Sequence, residues 1–521
     1  MRVTRIAFIS CHSYLDPSSG AARSIRDLLE MLVARGADCR ALSTGVLDFR
    51  HETPLQAALN TLGVPIRPAR ATLTPNGEVG VFDLVLRGVR VTLLPTASSR
   101  LGRSPDRAES AALLDLAEQV CECFRPQVLL TYGGHPVSLE LMARARRRDI
   151  PVVFHLRNCA YTKASTFADV DAIVVPSEFT RRFYAERLGL ECTVIPSPVD
   201  PDRVVAPDRQ PHYLTFVNPI PEKGLTVFAR IARELGRRRP DIPLLVVEGR
   251  QTADALTEVG LDLSGLTNLY RMANTPDPRH FYRVTQALLL PVLWPETFGR
   301  VGVEALANGL PVLASDRGAL PEVLGGAGLL FSIPARCTPE SGAVPTAEEV
   351  APWVAAIERI WDDPAWEAEL QARARAAAGR YDKDRILNIY ENLLSGLRRS
   401  SSEPSPGDRA PSSGEDWLIL HDGTEEQVPA WSADMANPGT IGKAPPSVSD
   451  RPVQSASGVT ELPSAPVQPG GITPLRLPPP QWIRPGVLNF VVTSDSAVSE
   501  LALITGQQSS APFLGKKSEQ V

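Results

Sequence analysis

Apolar positions in this chain gather into short continuous runs, and the stretches between them show helical spacing. Ile6-Ala-Phe-Ile9 is the first run. After the polar loop Asp16–Ala22, residues Ile25, Leu28, Leu29, Leu32 and Val33 recur at three- and four-residue intervals and stop at Arg35-Gly36, a strand, a loop and a helix in succession. The pattern returns at Gln127–Thr131, with helix spacing through Leu139, Leu141 and Met142, then at Ile150–Phe154 and at Ala168–Val175, where Glu178 opens a helix. Farther on, Tyr213–Val217, Leu244–Gly249, Asn268–Ala273, Ala287–Leu293 and Pro311–Ser315 read as strands. Helix spacing separates the first two of these (Val227, Phe228, Ile231, Ala232, Leu235) and the last two (Val303, Leu306, Ala307, Leu310). Helices are also predicted near Val350–Arg359 and over Asp382–Leu397. Short apolar runs bounded by turn signals suit strands buried on both faces, and their alternation with helices predicts α/β layers around parallel sheets.

At Ser401 the pattern stops. Pro, Ser and Gly supply 17, 17 and 11 of the last 121 residues, too little apolar surface to offset chain entropy, so residues 401–521 are expected to be a mostly disordered acidic tail. Val487–Val492 is its one strand-like exception and a candidate docking segment. The net charge of −5 divides unevenly: 13 acidic and 7 basic residues put the tail at −6, leaving the first 400 residues at +1. No domain is basic enough to suggest nucleic acid. The run Arg144–Arg148 ends a helix and reads as a solvated face. Seven cysteines without CxxC pairs indicate neither a zinc site nor a disulfide framework. The first apolar run is too short for a signal core or a membrane span, which predicts a cytoplasmic protein. Residence at the inner face of the cell membrane stays open.

The chemistry centres on Pro295–Ser315, PETFGRVGVEALANGLPVLAS. A strand, a glycine turn, a helix and a strand make one βαβ unit. Free N–H groups at the helix start, near Gly299, Arg300 and Val301, suit a phosphate. Glu296 and Glu304, with seven residues between them, suit hydroxyls of a ribose or a hexose, because carboxylates repel phosphate. Hydroxyl-binding carboxylates on either side of a phosphate turn describe a nucleotide-sugar pocket.

That block resembles the EX7E signature of the retaining GT4-type (group 1) glycosyltransferases of GT-B fold. The likeness covers residues 5–400: a strand ending in His155, the segment Ala168–Ser177, the connection Cys192–Asp200, and Asn218–Gly224, which is similar to the family's lysine-glycine turn. The resemblance implies that Glu296 holds the transferred sugar, Glu304 the ribose and Lys223 the donor diphosphate. It places His155 near donor sugar and acceptor, and Phe298, Gly299 and Gly20 against the donor. It also implies no metal and no cofactor beyond the donor substrate. One departure stands out. The family pairs the lysine with an arginine five residues earlier, where this chain has Asn218. Arg300 or Arg250 could restore the charge; Arg300, beside Gly299, is the favoured choice, so Arg300→Ala is expected to raise the KM for donor. His135, at another strand end, is a weaker site candidate.

The expected architecture is therefore two Rossmann-like domains facing across a cleft. Residues 1–200 form an acceptor-side domain, 201–380 a nucleotide-sugar domain, 381–400 a helix returning to the first domain, and 401–521 the tail. The expected activity is retaining, metal-independent transfer of a sugar from a nucleoside-diphosphate sugar to a glycan, lipid or small-molecule acceptor. The alternative is a non-catalytic nucleotide-sugar sensor whose tail recruits protein partners.

Overall fold

In a computed structural model, residues 5–48, 52, 55–60, 62–73, 77–100, 105–397, 420–422 and 471–477 are described. The first sheet contains β1 (Arg5–Ser10), β2 (Asp38–Thr44), β3 (Ile66–Leu73), β4 (Gly77–Leu86), β5 (Val89–Leu94), β6 (Val128–Thr131), β7 (Val152–His155), β8 (Ala172–Val175) and β9 (Thr193–Val194). The second contains β10 (Tyr213–Val217), β11 (Leu244–Val247), β12 (Leu269–Met272), β13 (Thr285–Leu290), β14 (Val312–Ser315) and β15 (Gly328–Phe331). Two short tail strands, β16 (Leu420–Asp422) and β17 (Thr473–Pro474), complete the set among the described residues.

Both sheets follow the doubly wound pattern. The first runs β16-β3-β4-β5-β2-β1-β6-β7-β8-β9 and the second β15-β14-β13-β10-β11-β12-β17. From β5 to β9 and from β15 to β12 every pairing is parallel, and the strands inside the edge strands β9 and β15 are largely buried, as their apolar runs require. The first sheet is not wholly parallel, however. β3, β4 and β5 form an antiparallel meander, and Arg87 and Gly88 link β4 to β5 at φ +48° and +83°, the positive angles of a tight two-residue hairpin.

Eight helices position the site: α1 (Gly20–Ala34), α2 (Pro136–Arg147), α3 (Glu178–Leu188), α4 (Leu225–Arg238), α5 (Arg300–Ala307), α6 (Ala347–Asp362), α7 (Pro364–Ala378) and α8 (Lys383–Leu397). α8 buries Ile386, Leu387, Tyr390 and Leu394 in the core around β1 and β6. The basic end of α2 is matched by carboxylates: Arg144 pairs with Glu140 at 2.9 Å, and Arg148 pairs with Glu118 at 2.6 Å and Glu122 at 2.8 Å.

Two short segments of the tail, expected to be mostly disordered, are described. Residues 471–477 lie along β12, with Ile472, Leu475 and Leu477 buried and the Leu475 N–H donating to the Leu269 carbonyl at 2.9 Å. β16 pairs with β3. The expected docking segment Val487–Val492 and the remainder of the expected disordered tail fall outside the described residues.

Candidate active site

The carboxyl ends of strands from both sheets open onto one cleft of about 440 Å³. Ser19, Gly20, Asp48 and Arg157 line it from the first sheet's side, and Asn218, Lys223, Arg250 and Glu296 from the second's. Brought together here are Glu296, Lys223, Asn218, Gly20, Phe298, Gly299, Arg300 and Glu304; His155 is not a cleft residue.

Glu296 sits in the loop between β13 and α5. Its carboxylate pairs with the Lys223 ammonium and accepts from Trp294 Nε1 at 3.2 Å. Lys223 also lies 5.1 Å from the centre of the Trp294 ring. Burial pushes the Glu296 carboxyl up, but Lys223, the Trp294 N–H and the Gly299 N–H outweigh it and hold the group below the usual carboxylate range. The loop is clamped to the first sheet's elements. Ser177 Oγ donates to the Thr297 carbonyl at 2.7 Å, and Thr297 Oγ1 donates to the Arg157 carbonyl at 2.8 Å. Behind it, Gly318 at φ +64° passes so close that an added Cβ would stand 2.3 Å from the Glu296 carbonyl oxygen.

Glu304 is only 1 % exposed, one turn into α5. One oxygen accepts from Arg300 Nε at 2.7 Å and the other from the Tyr282 hydroxyl at 3.0 Å. Arg300 is placed differently from the sequence-based expectation. Its guanidinium does not face an open phosphate turn: it bridges Glu304 and Asp27 of α1, with Nη1 donating to the Pro198 carbonyl at 2.9 Å. Burial disfavours its charge, yet Asp27 and Glu304 hold the cation firmly. Asp27 also receives Arg203 at 2.7 Å, beside Glu30. These buried pairs join the two sheets' elements.

Glu30 shows burial winning over an ion pair. Its carboxyl is pushed from 4.5 up to about 7 by burial, against the pull of Arg203. A raised carboxyl favours the folded state fully below about pH 4.5, and that contribution is lost as pH rises through about 7. Glu30→Gln is therefore expected to flatten the dependence of stability on pH between 5 and 8, as followed by denaturant melts. An unchanged slope would contradict it.

Asn218, where the family places arginine, has φ +64°, and its Oδ1 accepts from the Arg250 N–H at 2.9 Å. It thereby fixes the start of the loop after β11. The Arg250 side chain reaches across the cleft to Asp48 at 2.6 Å. At Gly20 an added Cβ would meet no atom within 4 Å, and its φ is not positive, so the turn itself does not demand glycine. The Phe298 ring packs with Val199, Val303 and Ala319 and meets Tyr381 edge-on at 5.7 Å, which anchors the loop.

His155 is 1 % exposed, stacked 5.8 Å from Tyr390 of α8. The Arg157 guanidinium lies 3.0 Å from its Nδ1. Burial and then the Arg157 charge hold its pKa well below the ordinary value, so the imidazole is neutral and lies beneath the cleft. His135, the other histidine considered, is half-buried ahead of α2. Sequence reasoning missed Asp27, Asp48, Arg157, Trp294 and Tyr390. Trp294 had a local signal, two residues before Glu296; Arg157 stands two after His155.

Two Rossmann-like sheets meeting at a charged cleft, with a glycine-turn helix carrying two carboxylates, define a GT-B protein. Residues 211–363 match the family model described as Glycosyl transferases group 1, and residues 18–203 match Glycosyltransferase Family 4. The chain belongs to the group 1, family 4 glycosyltransferases. It is 28% identical over 290 residues to the phosphatidyl-myo-inositol mannosyltransferase of Mycolicibacterium smegmatis, covering 51% of this chain and 71% of that protein. It is 29% identical over 216 residues to the lipopolysaccharide 1,2-N-acetylglucosaminetransferase of Salmonella typhimurium, covering 36% of this chain and 54% of that one. The solved sucrose-phosphate synthase from Thermosynechococcus elongatus shares the fold, with TM-score 0.53 and 17% identity over 76% of this chain and 99% of that one.

Proposed function

We propose that the protein transfers a sugar from a nucleoside-diphosphate sugar to a hydroxyl acceptor with retention of configuration and without a metal. The observation that carries this is the Glu296–Lys223 pair at the mouth of the α5 turn, facing the first sheet across the cleft. Lys223 is only partly buried and Glu296 is held ionised beside it. An ammonium there stabilises charge on a departing diphosphate, and a carboxylate there orients sugar hydroxyls. Glu304 has lone pairs left for a ribose after serving Arg300 and Tyr282.

In the step, the bond from the anomeric carbon to the β-phosphate oxygen breaks and the acceptor oxygen bonds to the same face. The acceptor proton passes to the departing phosphate oxygen, so no separate base is required. Residues 1–200 would seat the acceptor and 201–380 the donor. The relatives named above transfer different sugars to different acceptors, so membership alone selects neither. No helix among the described residues is long and apolar enough to cross a membrane; a peripheral contact with lipid is compatible with the reading.

The test is a thermal-shift screen with UDP-, GDP- and ADP-sugars followed by an assay of nucleotide release. A ligand that binds only the folded chain raises Tm. We expect one nucleotide class to do so and its sugar to be slowly hydrolysed. Tight binding with no turnover in any acceptor mixture would instead make the protein a sensor.

A further inference from the structure

The cations around the cleft are not equivalent. Lys223 is matched by Glu296, Arg250 by Asp48, and Arg300 by Asp27 and Glu304, while Arg23 of α1 lines the cleft with no carboxylate in ion-pair distance among the described residues. Arg157, just past the end of β7, is held differently. Its Nη1 donates to Ser197 Oγ at 2.6 Å, its Nη2 lies 3.0 Å from His155 Nδ1 and donates to the Tyr390 hydroxyl at 3.2 Å, and its buried Nε has no partner. All three partners are uncharged, because burial keeps His155 neutral and raises the Tyr390 pKa. Among the described residues no carboxylate stands within ion-pair distance of it.

Three buried neutral groups thus fix the orientation of this guanidinium and leave its charge uncompensated, partly exposed in the wall of a cleft. That suits reception of an anion: a guanidinium already oriented, with no internal carboxylate to displace and one Nη1 N–H left to donate. Its place in the cleft says which anion. Arg157 belongs to the first sheet, across from Lys223 and Asn218, and its own carbonyl accepts from Thr297 Oγ1 at 2.8 Å, next to Glu296. It therefore lies beside the reacting end of the cleft, on the wall opposite the donor.

Resting on the sugar-transfer reading of the cleft, we infer that Arg157 receives an anionic group of the acceptor, a phosphate or a carboxylate carried close to the hydroxyl that is glycosylated. His155, Ser197 and Tyr390 are its positioning residues. Tyr390 comes from α8, so the returning helix contributes to acceptor choice.

The test uses the full chain. UDP, GDP and ADP are first titrated calorimetrically to find the nucleotide that binds; the loaded protein is then titrated with inorganic phosphate and with acetate. Loaded wild type is expected to bind phosphate. Arg157→Met should weaken that binding about 10-fold or more while leaving nucleotide affinity within about 3-fold, and Arg157→Lys should restore part of it. Arg157→Gln, with Tm recorded for all variants, guards against a folding defect in the Met variant.

Equal phosphate binding in wild type and Arg157→Met, or none in either, overturns the inference. So does a 10-fold loss of nucleotide affinity with phosphate competing against nucleotide, which would give Arg157 to the donor diphosphate. If none of the three nucleotides binds wild type, the sugar-transfer reading falls. The phosphate titration of the unloaded chain then still decides whether Arg157 holds an anion.

Discussion

Arg300→Ala is expected to cost about 3–5 kcal/mol of folding stability and to lower Tm by on the order of 10 °C. The reason lies in what the guanidinium separates. Side chains of Arg300, Asp27 and Glu304 are 9%, 8% and 2% exposed, and truncating the cation leaves two buried carboxylates from opposite halves of the molecule facing each other. Their repulsion and lost hydrogen bonds fall on the contact between α1 and α5, so the defect is first one of folding and only second one of donor binding. Arg300→Lys, which keeps the charge but not the fork, should fall between. A Tm unchanged within about 1 °C, with only the donor KM raised, would return Arg300 to the phosphate role that its position beside Gly299 suggests in the sequence.

Glu296→Gln is expected to do the opposite, lowering turnover by about 100-fold or more with little change in Tm. Lys223, its partner, is 26% exposed and can be hydrated when left alone, so folding does not hinge on the pair. Chemistry does under the proposed function, in which the carboxylate holds the sugar and the ammonium faces the leaving group, the two preset against each other. The pair also sets the acid limit of activity. Lys223 is what overcomes burial to keep Glu296 ionised below the usual carboxylate range, so in Lys223→Met the carboxyl pKa rises and the acid limb of the kcat/KM profile should move to higher pH. An acid limb that stays in place in that variant would mean that Glu296 does not control it. Gly318 belongs to the same argument, since the clearance it leaves behind the Glu296 backbone lets the loop take the turn that aims the carboxylate.

Local patterns carried the fold. Strand runs and helix spacing of three and four residues located β1, β6, β7, β8 and β10 to β14, and α1, α4, α5 and α8, because burial on both faces or one face writes itself into neighbouring positions; β2, central in the first sheet, was passed over because Asp38–Thr44 mixes polar and apolar residues directly after a helix. The antiparallel meander was locally written too, in the alternation Val79 to Leu94 broken at Arg87-Gly88, and a reading tuned to continuous apolar runs passes over it. The site divided along another line. Glu296, Glu304 and Lys223 were legible because turns and helix starts fix their backbone, and the one-turn spacing of Arg300 and Glu304 already allows their pair. What could not be read was Arg300 turning toward Asp27, 273 positions away, or Arg157 resting on Tyr390, 233 positions away. Such partners depend on how two sheets meet, and no neighbouring residue records that.

The strand at Thr473–Pro474 has a practical side. A chain cut at residue 400, where composition suggests the ordered part ends, would lose the strand that covers β12 and the apolar trio Ile472, Leu475 and Leu477 that rests against the second core. The bared edge would offer unpaired N–H and C=O groups beside newly exposed Leu269 and Met272, the template on which chains stack edge to edge. Such a shortened protein should come out of cells clumped, and a peptide spanning 471–477 supplied in trans should keep it dispersed.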